Sequence, residues 1–396
     1  MGVDRPRIFI SAAEHSADLH AASLIEAIRR RRPGAEFIGL TGPRMRAQGC
    51  RTIRDLTADS AMLAGAFRKV GSGLAMFSRV DRVLASHPLD LAILVDAPTY
   101  HLPIARRCKA RGLPVLYYIA PQVWAWAEFR VHKVRRRTDR LAVIFPFEQD
   151  YFRRHGVDAV YVGHPLWDVL TAHRVDHAFV AEQRRGCDAM VVLLPGSRKH
   201  VIREVLPGQL EVARALRQRF GRLGLAISAA DDRAYQVILP MVRAGGLDVP
   251  VHVARHLDLI NAADVVLVAS GTAVMETAYY HRPMVVMYNA SRVGYHLLAR
   301  WFIRTRYYCM VNILAGRELV PEFMPYYRRT DPIASKAADL LADASLRERM
   351  SRSLAALIDP IVKTGASDNA AAEALDLLDR HPRYRGTPRG SRHVLW

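Results

Sequence analysis

Apolar residues follow two spacings along the chain. Short unbroken apolar runs alternate with longer stretches whose apolar positions recur every three or four residues. The runs predict strands at Arg7–Ala12, Glu36–Leu40, Leu91–Val95, Val115–Ile119, Leu141–Phe145 and Ala159–Val162. The longer stretches predict helices between them, such as Ser16–Arg32 and Leu102–Arg111. After a break at Val162-Gly-His-Pro-Leu166 the alternation restarts, with strands at Met190–Leu194, Leu223–Ser228, Val251–Val253, Val265–Ala269 and Met284–Met287. Helices are predicted there at Ile202–Phe220, Arg233–Ala244 and Ala273–Tyr280. Strands without apolar–polar alternation are buried on both faces, which means parallel sheets covered by helices. Two such series predict an α/β protein of two Rossmann-like domains facing a cleft, residues 1–165 and 166–345. The last ~65 residues read as mostly helical, with Gly365-Ala-Ser starting one helix. Helices in 346–380 would pack back on the domains, and 381–396 would form a loose basic tail. There is no sequence repeat and no low-complexity tract.

The 396 residues suit two domains of roughly 150–200 residues each. With 51% hydrophobic and 24% charged residues the chain reads as globular rather than disordered. Lys and Arg number 57 against 38 Asp and Glu, a net charge of +19. Such a balance points to anionic partners: nucleic acid, anionic lipid or phosphorylated ligands. Only six of the 57 cations are Lys, a bias that an Arg-rich genome also produces, so charge alone does not choose among them. No helix-turn-helix, RNA-binding or zinc-finger signature supports nucleic acid. Cys50, Cys108, Cys187 and Cys309 are far apart and form no Cys-x-x-Cys, which argues against a disulfide scaffold or structural zinc and fits a reducing cytosol. No apolar run reaches the ~18 residues that span a bilayer. The run Ile8–Ile10 is too short for a signal-peptide core. These readings predict a cytoplasmic protein that can still sit on a membrane surface.

Open α/β sheets bind ligands beyond the carboxyl ends of their strands, so the loops there are where chemistry is sought. Ser11-Ala-Ala-Glu-His-Ser-Ala-Asp18 follows the first strand and puts Glu14, His15 and Asp18 at a helix start. Glu14 can orient a sugar or accept a proton; equally, Ser16 and its acidic neighbours suit helix capping. Asp96 stands directly after an apolar strand, where a carboxylate serves either as a general base or as a turn residue. Leu193-Leu-Pro-Gly-Ser-Arg198 passes from strand to turn to helix, so backbone N–H groups and Arg198 can hold an anion, the alternative being a turn with a surface Arg. It lacks the P-loop pattern. Ala269-Ser-Gly-Thr-Ala-Val-Met-Glu276 repeats the arrangement, with Glu276 one turn into the helix and able to take vicinal ribose hydroxyls; capping is the alternative. Two anion-type loops in one half-chain favour a diphosphate ligand. No Asp-x-Asp occurs, so protein donors rather than a metal would stabilise a diphosphate leaving group. The 16 His form no His-Glu-x-x-His and read as surface or core residues. Ala61–Val80 mixes apolar residues, Met62 and Phe67 among them, with Arg68, Lys69 and Arg79. It suits a membrane surface or acyl chain, or else a helix packed on its own sheet. The five Arg and one Lys of Arg130–Arg140 suit phosphate or anionic lipid, or a solvated face.

Together these segments resemble the lipid-A-disaccharide synthase family, over roughly residues 7–380. The resemblance rests on Gly42-Pro-Arg-Met45, Ala120-Pro-Gln-Val-Trp-Ala-Trp126, Phe145-Pro-Phe-Glu148, Val162-Gly-His-Pro-Leu166, Leu194-Pro-Gly-Ser-Arg198, Ala269-Ser-Gly-Thr272 and Asn312-Ile-Leu-Ala-Gly-Arg-Glu318, in the family's order. It implies a GT-B glycosyltransferase architecture, with an acceptor and lipid side in 1–165 and UDP-sugar binding in 166–345. The implied reaction is inverting: UDP-2,3-diacylglucosamine gives its sugar to the 6-hydroxyl of 2,3-diacylglucosamine 1-phosphate, releasing UDP and a β-1,6 disaccharide. It implies Asp96 as general base with Glu14 beside it. Gly196, Ser197, Arg198, Ser270, Gly271, Thr272, Glu276, Asn312 and Arg317 would line the UDP-sugar site. Ser16, Asp18, Met62, Phe67, Trp124 and Trp126 would lie on the lipid and acceptor side. It implies no metal, no cofactor and no nucleic acid. It also implies peripheral association with anionic membrane on the inner face of the inner membrane, and an enzyme whose relatives can dimerise through the C-terminal region.

Some positions depart from the family pattern. Ala13 and Ala17 replace glycines, Thr99-Tyr-His101 replaces Asp-Phe-Asn, the segment around Met62–Phe67 differs, and Val201 replaces a Glu. Alternative readings are therefore a divergent paralogue using another UDP-sugar or acceptor, an epimerase-like enzyme, or a non-catalytic protein that binds UDP-sugar or lipid.

Overall fold

The computed structural model describes residues 5–55, 66–125, 128–289 and 305–381, and side chains within these except for 66–74. The chain divides into two units, 1–168 with 363–396, and 169–362.

The first unit is built on a parallel sheet: β1 (Arg7–Ala12), β2 (Glu36–Thr41), β3 (Arg51–Asp55), β4 (Leu91–Val95), β5 (Val115–Tyr118), β6 (Arg140–Val143) and β7 (Ala159–Tyr161). Their order in space is β3-β2-β1-β4-β5-β6-β7. The order reverses between β1 and β4, and that is where an open α/β sheet leaves a crevice. All five residues of β4 are buried, because helices cover both faces. Ser11 lies opposite Leu94 and Ala12 opposite Val95, so the loops leaving β1 and β4 start side by side. The strand β3 escapes the apolar-run criterion: it is a charged edge strand, Arg-Thr-Ile-Arg-Asp, with its first two residues exposed. From residue 75 onward the helix Ala66–Ser86 sends Met76, Val80 and Leu84 into this unit's core, and Arg107 lies over the Phe77 ring at 4.5 Å. That described half packs on its own sheet; Met62 lies outside the described residues, as does the side chain of Phe67.

The second unit carries β8 (Ala189–Leu194), β9 (Leu223–Ala229), β10 (Val251–Val253), β11 (Val265–Ala269), β12 (Met284–Met287) and β13 (Glu322–Phe323). The order is β10-β9-β8-β11-β12-β13, again all parallel and again reversing beside the first strand of the unit. With two residues, β13 is too short to leave a run in the sequence.

The expected C-terminal block 346–380 is divided. Helix Ala344–Ile358 belongs to the second unit, and helix Ala366–Arg380 to the first. Charge and capping hold the latter in place. Asp168 accepts from the backbone N–H groups of Gly365 and Ala366, Arg30 and Arg31 pair with Asp368, and Arg140 bridges Glu373 and Asp376. The rest of the tail, 382–396, lies outside the described residues.

Candidate functional site

In the first unit the chain leaves β4 abruptly. The Asp96 N–H still donates to Tyr118 O at 2.9 Å, continuing the ladder, and then Asp96 and Ala97 both turn left-handed, at φ 55° and 44°. The left-handed region costs a non-glycine residue roughly 1–2 kcal/mol, so the surroundings must impose it. The helix Pro98–Ala110 starts immediately afterwards, with Pro at its first position. Two groups hold the Asp96 carbonyl: the Tyr117 hydroxyl donates to it at 2.5 Å, and His101 Nδ1 lies 2.7 Å away. Burial raises the pKa of the Asp96 carboxyl; the Ala97 N–H opposes this and the charge of Glu14 reinforces it. A carboxyl titrating above the ordinary range is a stronger base than an exposed one, which suits proton abstraction from a hydroxyl.

The neighbouring loop sorts the predicted residues. Glu14 is exposed at the N-cap of the helix His15–Arg31 and makes no capping bond with its side chain. Ser16 is exposed in the first turn. Asp18 is buried, and its oxygens accept from the N–H groups of Gly42, Arg44 and Met45 at 2.9, 2.9 and 3.1 Å. It thus caps the helix Pro43–Ala47 instead of facing a ligand, and explains why Gly42-Pro-Arg-Met45 forms a unit. Ala13 and Ala17 are buried and neither has positive φ, so no glycine is required at either position. Trp124 donates from Nε1 to Glu148 Oε1 at 3.0 Å and meets the Phe147 ring edge-on. Glu148 also accepts from the N–H groups of Ile144 and Phe145, so its carboxylate caps the start of the helix Pro146–Arg154. Burial pushes its carboxyl up to about 7 despite these three donors. Trp126 lies outside the described residues.

In the second unit a cavity of about 350 Å³ opens at the switch point. Leu194 lies opposite Val268, which brings the turn after β8 beside the turn after β11. Gly196, Ser197, Arg198, Ser270, Gly271, Thr272 and Glu276 all line the cavity. Gly196 sits at φ 98°, and a Cβ there would come within 3.0 Å of Val201 Cγ1. Gly271 sits at φ 145° before the helix Thr272–Tyr279. Neither that helix nor Lys199–Arg219 has a side-chain cap at its N-cap residue. Two helix N-termini without a side-chain cap at their N-cap residues, together with Arg198, therefore line one cavity, an arrangement suited to a diphosphate.

The structure adds Ser228, Ala230, Ala254 and His256 to this lining, from the end of β9 and the segments that follow β9 and β10. His256 Nε2 stands 3.6 Å from Glu276 Oε2. Burial alone would lower its pKa, but the nearby carboxylates of Glu276 and Asp258 outweigh that and raise it. Applying the loop-after-strand rule to the short β10 would have found it. Asn312, in contrast, is fully buried and has no group left for a ligand. Its Nδ2 donates to Val320 O and Glu322 Oε2, and its Oδ1 accepts from Leu319 and Val320 N–H. It clasps the loop carrying Arg317, which is exposed and is not part of the cavity wall.

Sequence comparisons with known proteins agree on one family. The sequence model described as lipid-A-disaccharide synthetase matches residues 8–372. The lipid-A-disaccharide synthase of Solibacter usitatus is 36% identical over 389 residues, covering 94% of this chain and 98% of that protein. Those of Geobacter sulfurreducens and Myxococcus xanthus are 35% and 34% identical with the same coverages. Among solved structures, S. aureus MnaA with UDP superposes with a TM-score of 0.62 at 11% identity, over 95% of this chain and 99% of that one. Acinetobacter baumannii MurG gives 0.56 at 13% identity, over 94% and 99%. At such identities the likeness is one of fold, the two-sheet α/β architecture of GT-B proteins.

Proposed function

The chain belongs to the lipid-A-disaccharide synthetase family, and we propose that its substrates are UDP-2,3-diacylglucosamine and 2,3-diacylglucosamine 1-phosphate. It is a UDP-sugar glycosyltransferase and a lipid-A-disaccharide synthase. The match along nearly the whole chain favours this over a paralogue with another donor, an epimerase or a non-catalytic binder.

Asp96 takes the proton from the acceptor 6-hydroxyl as that oxygen attacks the anomeric carbon of the donor sugar. The bond from that carbon to the β-phosphate oxygen breaks on the opposite side, giving inversion and free UDP. One carboxylate suffices for a direct displacement; a second, acting as nucleophile, would be needed only for retention. Supporting this role are the raised pKa of Asp96 and its fixed backbone at the switch point. The negative charge that develops on UDP goes to the second unit: Arg198, the N–H groups after Gly196 and Gly271, and the His256–Glu276 pair, with Glu276 accepting from ribose hydroxyls. The observation that carries the reading is the convergence of two uncapped helix N-termini and Arg198 on one cavity.

The enzyme works, in this reading, at the inner face of the inner membrane, where both acylated substrates reside. The net charge of +19 favours an anionic surface. Among the described residues no helix is long and apolar enough to cross a membrane. A homodimer through the C-terminal region is part of the same proposal. The test is UDP release in detergent micelles with both substrates, the product identified by mass spectrometry. A β-1,6 disaccharide supports the proposal; UDP binding without turnover on these substrates refutes it.

A further inference from the structure

The kink that carries Asp96 is held from outside the loop. The Asp96 carbonyl accepts from two elements at once, the Tyr117 hydroxyl on β5 at 2.5 Å and His101 Nδ1 on the following helix at 2.7 Å. A carbonyl can only accept, so His101 carries its proton on Nδ1 and its Nε2 must accept. The Nε2 partner is Ser11 Oγ on β1, at 2.8 Å. His101 is fully buried, and burial lowers its pKa to about 4, which keeps it neutral and this tautomer intact. The chain Ser11–His101–Asp96 thus ties β1 to the peptide group between two left-handed residues.

We propose that His101, aided by Tyr117, is a positioning residue for the reaction: its Nδ1–H fixes the Asp96–Ala97 peptide so that the Asp96 carboxyl is held in its left-handed turn. With either donor removed the peptide is less firmly held in the left-handed region, and the carboxyl swings with it. Displacing a catalytic group by about 1 Å can cost on the order of 100-fold in rate. The inference rests on Asp96 being the base.

The test uses the two amides as half-imidazoles. Asn places its amide near the position of Nδ1, whereas Gln reaches toward Nε2. His101→Asn keeps the bond to Asp96 and loses Ser11; His101→Gln keeps Ser11 and loses Asp96. We expect His101→Asn to keep near-wild-type kcat, and His101→Gln to lose about 100-fold in kcat with donor KM unchanged. A circular-dichroism spectrum and thermal melt matching wild type show that the first unit, which holds position 101, is folded, and UDP titration by calorimetry should match wild type as well. Tyr117→Phe, nearly isosteric, removes the second donor and should also lower kcat at constant KM. If Gln equals or exceeds Asn, His101 only fills space, and the inference is overturned. Wild-type kcat in both His101→Gln and Tyr117→Phe overturns it as well. Asp96→Asn, run in parallel, separates the two readings. If it is inactive while His101→Gln is not, positioning fails alone; if it is active, the base assignment falls and this inference with it.

Discussion

In the first unit the chain leaves β4 through Asp96 and Ala97, two non-glycine residues in the left-handed region; in the second it leaves β8 through Gly196 and reaches the helix after β11 through Gly271. Both turns stand where a parallel sheet reverses its strand order. One turn is forced on residues that resist it and is held by buried side chains. The other uses residues without a Cβ, and its helix starts have no side-chain cap at their N-cap residues among the described residues. The difference fits the roles proposed for each. A base needs a carboxylate in one place, half withdrawn from water so that its pKa rises. A diphosphate needs close access to backbone and positive potential. The same topology therefore supports opposite electrostatics.

The strongest test of this contrast is Asp96→Asn. It should lower kcat by about 10²–10⁴-fold, the usual worth of a general base, and leave UDP affinity unchanged. Equal losses in both would mean that the two turns are not separable in function. Next is Arg198→Ala, which should weaken UDP binding by ~1.5–3 kcal/mol, the scale of a hydrogen bond to a charged group, with the deficit shrinking at high salt. Gly196→Ala should cost roughly 1–2 kcal/mol in thermal unfolding, from the forbidden φ and the contact with Val201, and reduce UDP affinity too. An unchanged melting curve would show that the turn tolerates a Cβ. The smallest effect is expected for Glu14→Gln. Asp96 must be ionised to act, so kcat/KM should fall as the pH drops through its raised pKa. Removing the negative charge of Glu14 lowers that pKa and should move the acid limb to lower pH, by less than about one unit, while the rate above the limb stays the same.

Much of this was readable before folding. Unbroken apolar runs such as Leu91–Val95 and Val265–Ala269 read as doubly covered parallel strands, and they placed Asp96 and Ser270-Gly271-Thr272 at strand ends. Residues of one chemical type were harder to sort. Asp18 and Glu14 belong to the same short motif, yet Asp18 spends its oxygens on three backbone N–H groups while Glu14 faces water. Asn312 stands in a motif shared with the family and still has no group free for a ligand. His256 was one of 16 histidines, and His101 stood only as a departure from the family pattern, until their neighbours were known.

The sequence by itself determined two parallel sheets, the strand ends at which the candidate residues stand and the family, because apolar periodicity and motif order are local properties of the chain. Only the tertiary structure decided which polar side chains face inward. Whether a carboxylate or amide acts on a ligand depends on which N–H groups lie within about 3 Å of it, and those come from segments distant in sequence. His101 shows this most plainly. It is bound to Ser11, 90 positions away, and to the peptide of Asp96, and nothing in the local sequence encodes that bridge.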